Sequence, residues 1–334
     1  MDTLRAIVVN KSGDEVVVGL EHWSLDQLLP GDVTIRVEYS SVNYKDALAA
    51  RADGNVARRY PLIPGIDLAG TVEESTDARH KPGDPVLVHG YELGVSHHGG
   101  YGQAARVPGD WVVPLPSGLT TRQAMAIGTA GFTAALSVVR LEHMGVRPDK
   151  GPVLVTGASG GVGSTAVAIL AARGYEVVGS TGSADAHDYL RELGAREIID
   201  RSETSAAGER PLERMRWAGA VDAVGGTTLA YAVRTMLYGG SVAVSGNTGG
   251  VAVNTTVLPF ILRGVNVLGI DSVNMPLDQR TALWKRLADD LRPPGLEESI
   301  AQEISLEEVP GVLSAIYRGE IRGRTVVRLA DPAR

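Results

Sequence analysis

The chain has 334 residues, of which 44% are hydrophobic, a formal net charge of −7 at pH 7 and no cysteine. That length, with a mean hydropathy near zero, suits a globular protein of two domains or one large one. The missing thiols exclude disulfides, thiolate catalysis and cysteine-ligated zinc; the acidic balance weighs against nucleic acid as a partner but leaves room for a local basic pocket.

Residues 1–123 read as β-rich. Leu4–Val9, Val33–Val37 and Pro85–His89 are the strand candidates, with Pro-Gly-Asp turns at Pro30–Asp32 and Pro82–Asp84 and an exit loop at Pro114–Gly118. From Gln123 to Leu141 the apolar residues take a helical period. Strand and helix then alternate. Val153–Thr156 precedes a helix over Ser164–Arg173, Tyr175–Thr181 precedes a helix over Ala184–Leu193, and Glu197–Asp200 and Ala220–Val224 are strands. A helix over Leu229–Leu237 leads to strands Ser241–Gly246 and Val265–Ile270. This alternation predicts a doubly wound parallel sheet. Beyond Asp271 it fades into a helix over Asp278–Leu291, a helix interrupted at Pro310 and a final strand in Gly323–Leu329. No apolar run approaches the about 20 residues that span a bilayer. The N-terminal MDTLRAIVVNKSGDE lacks an apolar h-region, so a cytoplasmic protein with no membrane partner is expected.

The stretch Val153–Gly163 is a buried strand, a glycine-rich turn and a helix start. The pattern Ala158-x-Gly160-x-x-Gly163 lets backbone approach a pyrophosphate and aims a helix N-terminus at it. Ser159, Gly160, Gly161 and Val162 are the candidate dinucleotide contacts. NAD sites carry an acid about 20 residues further on. Here the second strand ends in Ser180, Thr181, Gly182 and Ser183, with no acid before Asp185. Small hydroxyl residues leave room for a 2′-phosphate, and Arg201 could supply the charge, so NADPH is preferred. Ser180 and Thr181 could instead cap a helix, and Arg201 could be a solvated surface residue.

Further motifs are SSVNYKDALA (40–49), PLIPGIDLAGTV (61–72), GDWVVPLP (109–116), IGTAGFTAALSV (127–138), VTGASGGVGS (155–164), RPLERMRWAGAVDAVGG (210–226) and PFILRGVNVLGIDSV (259–273). Together they resemble the zinc-independent, quinone-oxidoreductase-like medium-chain dehydrogenase/reductases, with the acryloyl-CoA reductase subgroup closest. The resemblance implies an α/β fold in which a Rossmann domain (124–271) is inserted in a GroES-like β-rich catalytic domain (1–123 and 272–334), with the active site in the cleft between them. Asn43 and Ile66 stand where zinc members carry cysteine and histidine, so no metal is expected. His97-His98 reads as a loop over the cleft or a solvated turn.

With neither metal nor thiol, the chemistry must come from the nicotinamide. Tyr44 is the candidate hydrogen-bond and proton donor or cofactor contact, by likeness to tyrosines of related enoyl reductases, with packing as its alternative. Asn43 and Asp46 would orient its loop, and Asp67 would pin a turn. Thr129 and Thr133 are expected near the nicotinamide, or as caps. Asn247 follows a strand, where ligands bind. Phe260, Ile261 and Leu262 resemble the family segment lining that region, or are core. Arg51, Arg58, Arg59, Arg322 and Arg324 are candidate cations for CoA phosphates. Close relatives often carry Lys or Arg at the Ser183 position, so the strength of the preference for NADP over NAD is left open. Three readings are open: an NADPH-dependent reductase of a short enoyl-CoA, an NADPH:quinone oxidoreductase, and a non-catalytic NADPH-binding protein. Pairing of the edge strand around Val267 with its symmetry mate would make a homodimer.

Overall fold

The computed structural model describes residues 3–208 and 210–329, with backbone alone for Ser299 and Ile300. In chain order it forms β1 (Thr3–Ser12), β2 (Glu15–Ser24), β3 (Val33–Val42), α1 (Tyr44–Ala49), β4 (Asp67–Ser75), β5 (Pro85–His89), β6 (Ala104–Val107), β7 (Val113–Pro114) and α2 (Thr121–His143). Next come β8 (Val153–Thr156), α3 (Gly161–Ala172), β9 (Val177–Thr181), α4 (His187–Glu192), β10 (Glu197–Asp200), α5 (Arg201–Ser205), β11 (Trp217–Asp222), α6 (Gly226–Thr235), β12 (Met236–Val244), α7 (Leu258–Arg263) and β13 (Asn266–Gly269). The chain continues through α8 (Leu277–Leu287), β14 (Ala301–Ser305), α9 (Val309–Tyr317) and β15 (Arg324–Arg328).

Two units result. One comprises Met1–Thr129, Val273–Asp289 and Ala301–Arg334; the other comprises Ala130–Ser272 and Asp290–Ile300. The division falls at Thr129/Ala130, a few residues beyond the position read from the motifs, and 290–300 return to the second unit.

In the first unit β1 and β2 make an antiparallel hairpin whose tip, Gly13-Asp14, uses the positive φ of Gly13. A larger sheet runs in the order β14-β15-β3-β4-β5-β7, with β6 also paired to β3. Its core gathers Leu4, Ile7, Val33, Ile35, Leu68, Val86, Val88 and Tyr101, together with Leu306, Val309 and Leu313 from the C-terminal segment. Pro310 does not interrupt a helix; it stands at the start of α9, where its missing N–H costs nothing.

The second unit is a six-stranded sheet in the order β10-β9-β8-β11-β12-β13, every pairing parallel. β8, β9 and β11 are buried along their whole length, as strands covered on both faces must be. The expected alternation is present with shifted ends. The helix expected from Ser164 begins at Gly161, and Met236 and Leu237 open a strand instead of closing a helix. α2 corrects the reading that no segment is long enough to cross a membrane: its length and composition suffice, but 83% of its most apolar window is buried. It is also broken at Gly128, whose φ of 51° and ψ of −163° are outside helical space.

Candidate active site

In the second unit the parallel pairing brings the carboxyl ends of all its strands to one edge of the sheet, and the order reverses between β8 and β11, where such sheets bind ligands. The turn after β8 is shaped by backbone contact. Gly157 has a φ of +57°, and a Cβ on Gly163 would lie 2.3 Å from the Gly157 carbonyl oxygen. Only glycine at 163 lets α3 close this tightly on the turn. Gly160 is the N-cap of the 12-residue α3 and no side chain caps it, while Ser159, Gly160, Gly161 and Val162 are all half-buried. Accessible N–H groups at a helix N-terminus fit a dinucleotide pyrophosphate.

The neighbouring strand ends divide the expected 2′-phosphate residues. Arg201, exposed at the start of α5, lies over Gly182; a Cβ there would be 2.4 Å from Arg201 Nε. Ser183 is half-buried beside them. Ser180 is a correction. It is 1% exposed and its hydroxyl pairs with Thr204 Oγ1 at 2.8 Å, so it is structural. Thr181 is also buried; its hydroxyl pairs with Ser159 Oγ at 3.0 Å and accepts the Ser183 N–H, tying this loop to the glycine turn. Asn247 is exposed after β12, in a loop packed on the Gly225–Gly226 turn after β11. Thr133 is buried and donates to Ser272 Oγ at 2.9 Å. Phe260, Ile261 and Leu262 are not core: they are 36%, 69% and 57% exposed on α7.

In the first unit the centre is a buried polar cluster around the N-terminus of α1. Asp46, 0% exposed, accepts the N–H groups of Asn43 (2.8 Å) and Ile66 (2.9 Å) and the Tyr101 hydroxyl (3.0 Å). Asp67, also 0% exposed, accepts from Ser41 Oγ (2.6 Å), Asn43 Nδ2 (2.7 Å) and the Thr129 N–H (3.1 Å). Arg324 closes the cluster. It donates to Ser41 Oγ (2.7 Å), Asn43 Oδ1 (3.1 Å) and the carbonyls of Val42 (3.1 Å) and Ala126 (3.3 Å), and it lies 3.6 Å from Asp67. The break in α2 makes room for this: a Cβ on Gly128 would fall 2.4 Å from Arg324 Nη2 and 2.6 Å from Asp67 Oδ2.

Tyr44, the first residue of α1, is half-buried, and among the described residues no hydrogen bond engages its hydroxyl. Asn43 and Asp46, expected to orient its loop, are buried in the cluster and hold the backbone that carries it. Arg324, a candidate phosphate ligand, is 2% exposed and its donors are spent inside the protein. Arg51 pairs with Asp53, whereas Arg58 and Arg59 are exposed. His97-His98 is not a solvated turn. His98 is 3% exposed, with burial pulling its pKa down to about 4, and His97 binds the Arg106 carbonyl. Among the described residues no group of three or more His, Cys, Asp or Glu could hold a metal ion.

Sequence reasoning missed Asp67 as the hub, Ser41 and Arg324 as its partners, and Tyr101 as a donor to Asp46. A charged residue opening a strand, at Asp67-Leu68-Ala69 and at Arg324-Thr325-Val326, was the available signal.

Burial, and then the charge of Asp67, pushes Asp46 up to about 7 from 3.8, against the donors that favour its ionised form. Folded Asp46 therefore holds its proton more tightly than the unfolded chain does. Its contribution to stability is full below pH 3.8 and is lost as pH rises through about 7. Asp46→Asn should flatten the decline of the urea midpoint between about pH 4 and about pH 7. A variant with the wild-type slope would assign that decline to other groups.

Comparison with known proteins adds to this geometry. Residues 29–117 match the alcohol dehydrogenase GroES-like domain and residues 161–289 the zinc-binding dehydrogenase family. The chain is 52% identical to acrylyl-CoA reductase AcuI of Ruegeria pomeroyi, over 97% of this chain and 98% of that one. The yhdH oxidoreductase of Salmonella enterica, solved in complex with NADP, superposes with a TM-score of 0.95 at 48% identity, covering 98% of this chain and 100% of that one. Bacillus subtilis protein yhfP, solved with NAD bound, gives a TM-score of 0.95 at 52% identity, with the same coverage.

Proposed function

The chain belongs to the medium-chain dehydrogenase/reductase family, and from that premise we propose that it is an NADPH-dependent reductase of the C=C bond of a short enoyl-CoA such as acryloyl-CoA. The observation that carries the reading is Tyr44, a half-exposed phenol whose hydroxyl has no hydrogen bond among the described residues, on a backbone clamped by two buried carboxylates. The relative named acrylyl-CoA reductase supports the choice of acceptor.

When bound, NADPH supplies a hydride to the β-carbon of the activated double bond. The π electrons move toward the thioester oxygen, where negative charge develops. The Tyr44 hydroxyl donates toward that charge and passes its proton to the α-carbon, and water restores the phenol. Asn43, Asp46 and Asp67 stay in place and hold α1. The turn Ser159–Val162 binds the pyrophosphate, and Arg201 with Gly182 and Ser183 takes the 2′-phosphate.

The test is loss of NADPH absorbance with acryloyl-CoA, crotonyl-CoA and benzoquinone in turn. Turnover of the acyl-CoA esters alone supports the proposal. Turnover of quinone alone would make the chain a quinone oxidoreductase, and cofactor binding without turnover would make it a non-catalytic binder. For the cofactor, Arg201→Ala should raise KM for NADPH about tenfold or more, the worth of a charged hydrogen bond, and leave KM for NADH alone. An equal change for both cofactors would remove Arg201 from the 2′-phosphate site.

The second unit also supports a homodimer. β13 is an edge strand of the sheet, and Val267 on it is 46% exposed. The same unit exposes Tyr238, Val257, Ile261 and Leu262. An apolar sheet edge invites pairing with a second copy. Light scattering at micromolar concentration should give twice the chain mass; a monomer mass would contradict this.

A further inference from the structure

The backbone of Tyr44 is fixed by the cluster beneath it, but its ring is not. A half-exposed tyrosine with no bond to its hydroxyl keeps two soft side-chain torsions, and a proton donor must point its oxygen at one place. The neighbour that meets this ring comes from the far end of the chain. Tyr317, the last residue of α9, lies parallel to Tyr44, with ring planes 5° apart and centroids 6.1 Å apart. This is the offset geometry that aromatic pairs prefer.

Tyr317 is held in turn. The Arg51 guanidinium carbon sits 3.9 Å from its ring centroid, and Arg51 is fixed by two hydrogen bonds to Asp53, at 2.9 and 3.0 Å. α1 opens with Tyr44 and its chain continues directly to Arg51, so one short segment meets the Tyr317 ring twice. α9 itself is anchored by Val309 and Leu313 in the core. Tyr317 is 37% exposed.

We propose that Tyr317 is a positioning residue, whose stacked ring holds the Tyr44 phenol in the orientation from which it serves the reacting substrate. The proposal rests on the reading of Tyr44 as hydrogen-bond and proton donor. It accounts for the packing of the six-residue α1 against α9 and for the placement of Arg51 over the Tyr317 ring.

The experiment compares Tyr317→Ala, Tyr317→Phe, Tyr44→Phe and the double variant Tyr317→Ala/Tyr44→Phe, using the acceptor that the wild type turns over fastest. Binding of NADPH is read by its fluorescence, and folding by thermal melting. Tyr317→Ala should lower kcat about two- to tenfold, the range a lost aromatic stack converts to. Tyr317→Phe should retain wild-type kcat, and the NADPH Kd should be unchanged in both. In the Tyr44→Phe background, Tyr317→Ala should add nothing, because there is no phenol left to orient. If Tyr44→Phe is slow while Tyr317→Ala runs at the wild-type rate, the positioning role is overturned and the Tyr44 reading stands. Multiplying effects in the double variant would also overturn it. If Tyr44→Phe keeps full activity, the donor reading fails and takes this inference with it.

Discussion

Replacing Arg324 with methionine is expected to cost about 3–5 kcal/mol of folding stability, the penalty for breaking a buried ion pair by removing one member. Methionine keeps much of the arginine stem, so the loss isolates the guanidinium. That group is 2% exposed and lies beside Asp67, which is 0% exposed. Without it Asp67 has no cation in the cluster, Asn43 Oδ1 loses a donor, and the carbonyls of Val42 and Ala126 lose theirs. The urea midpoint of the first unit measures the effect. The double variant Arg324→Met/Asp67→Asn should recover part of the loss, because it removes the stranded charge as well. A single variant that melts with the wild type would mean that packing, not charge, holds the cluster.

Tyr44→Phe is expected to lower kcat about a hundredfold, the usual worth of a positioned proton donor, while the NADPH Kd changes little. The substitution removes one oxygen and keeps the ring, so the stack with Tyr317 survives and the change reports on the hydroxyl. A loss confined to KM would make Tyr44 a binding contact; an unchanged kcat would remove it from the chemistry. The two substitutions act at different levels. Arg324→Met tests whether the platform exists, and Tyr44→Phe tests what the platform does.

Much of the fold was legible because its signals are local. β8, the glycine turn and α3 follow one another within a few residues, and the spacing of Gly160 and Gly163 states their purpose. The parallel sheet follows from apolar runs that alternate with helices. The ends of elements were harder. Met236 and Leu237 belong equally well to a helix or a strand, and their neighbours in the folded chain decide. The least legible part was the cluster beneath Tyr44. Asn43 and Arg324 are 281 positions apart, and no periodicity connects them. For the same reason Arg324 looked like one more surface cation, and Tyr317 drew no notice. Ser180 misled in the opposite way. A hydroxyl at the end of β9 suits a phosphate ligand, but β9 is covered on both faces and the hydroxyl pairs with Thr204.

The place of β15 in the first sheet has a consequence for synthesis. β15 is paired to β3 on one side and β14 on the other, so a strand made long after β3 is an interior strand of the sheet beside it. It also delivers Arg324 to carboxylates made long before. The second unit closes its sheet from a largely continuous stretch of chain, so it can fold while the ribosome is still working. The first unit must wait, with Asp46 and Asp67 kept in water until β15 emerges. A nascent chain that stalls before residue 324 would carry a finished second unit and an unfinished first unit. Quality control would meet that species as a half-folded protein with a β-sheet edge open.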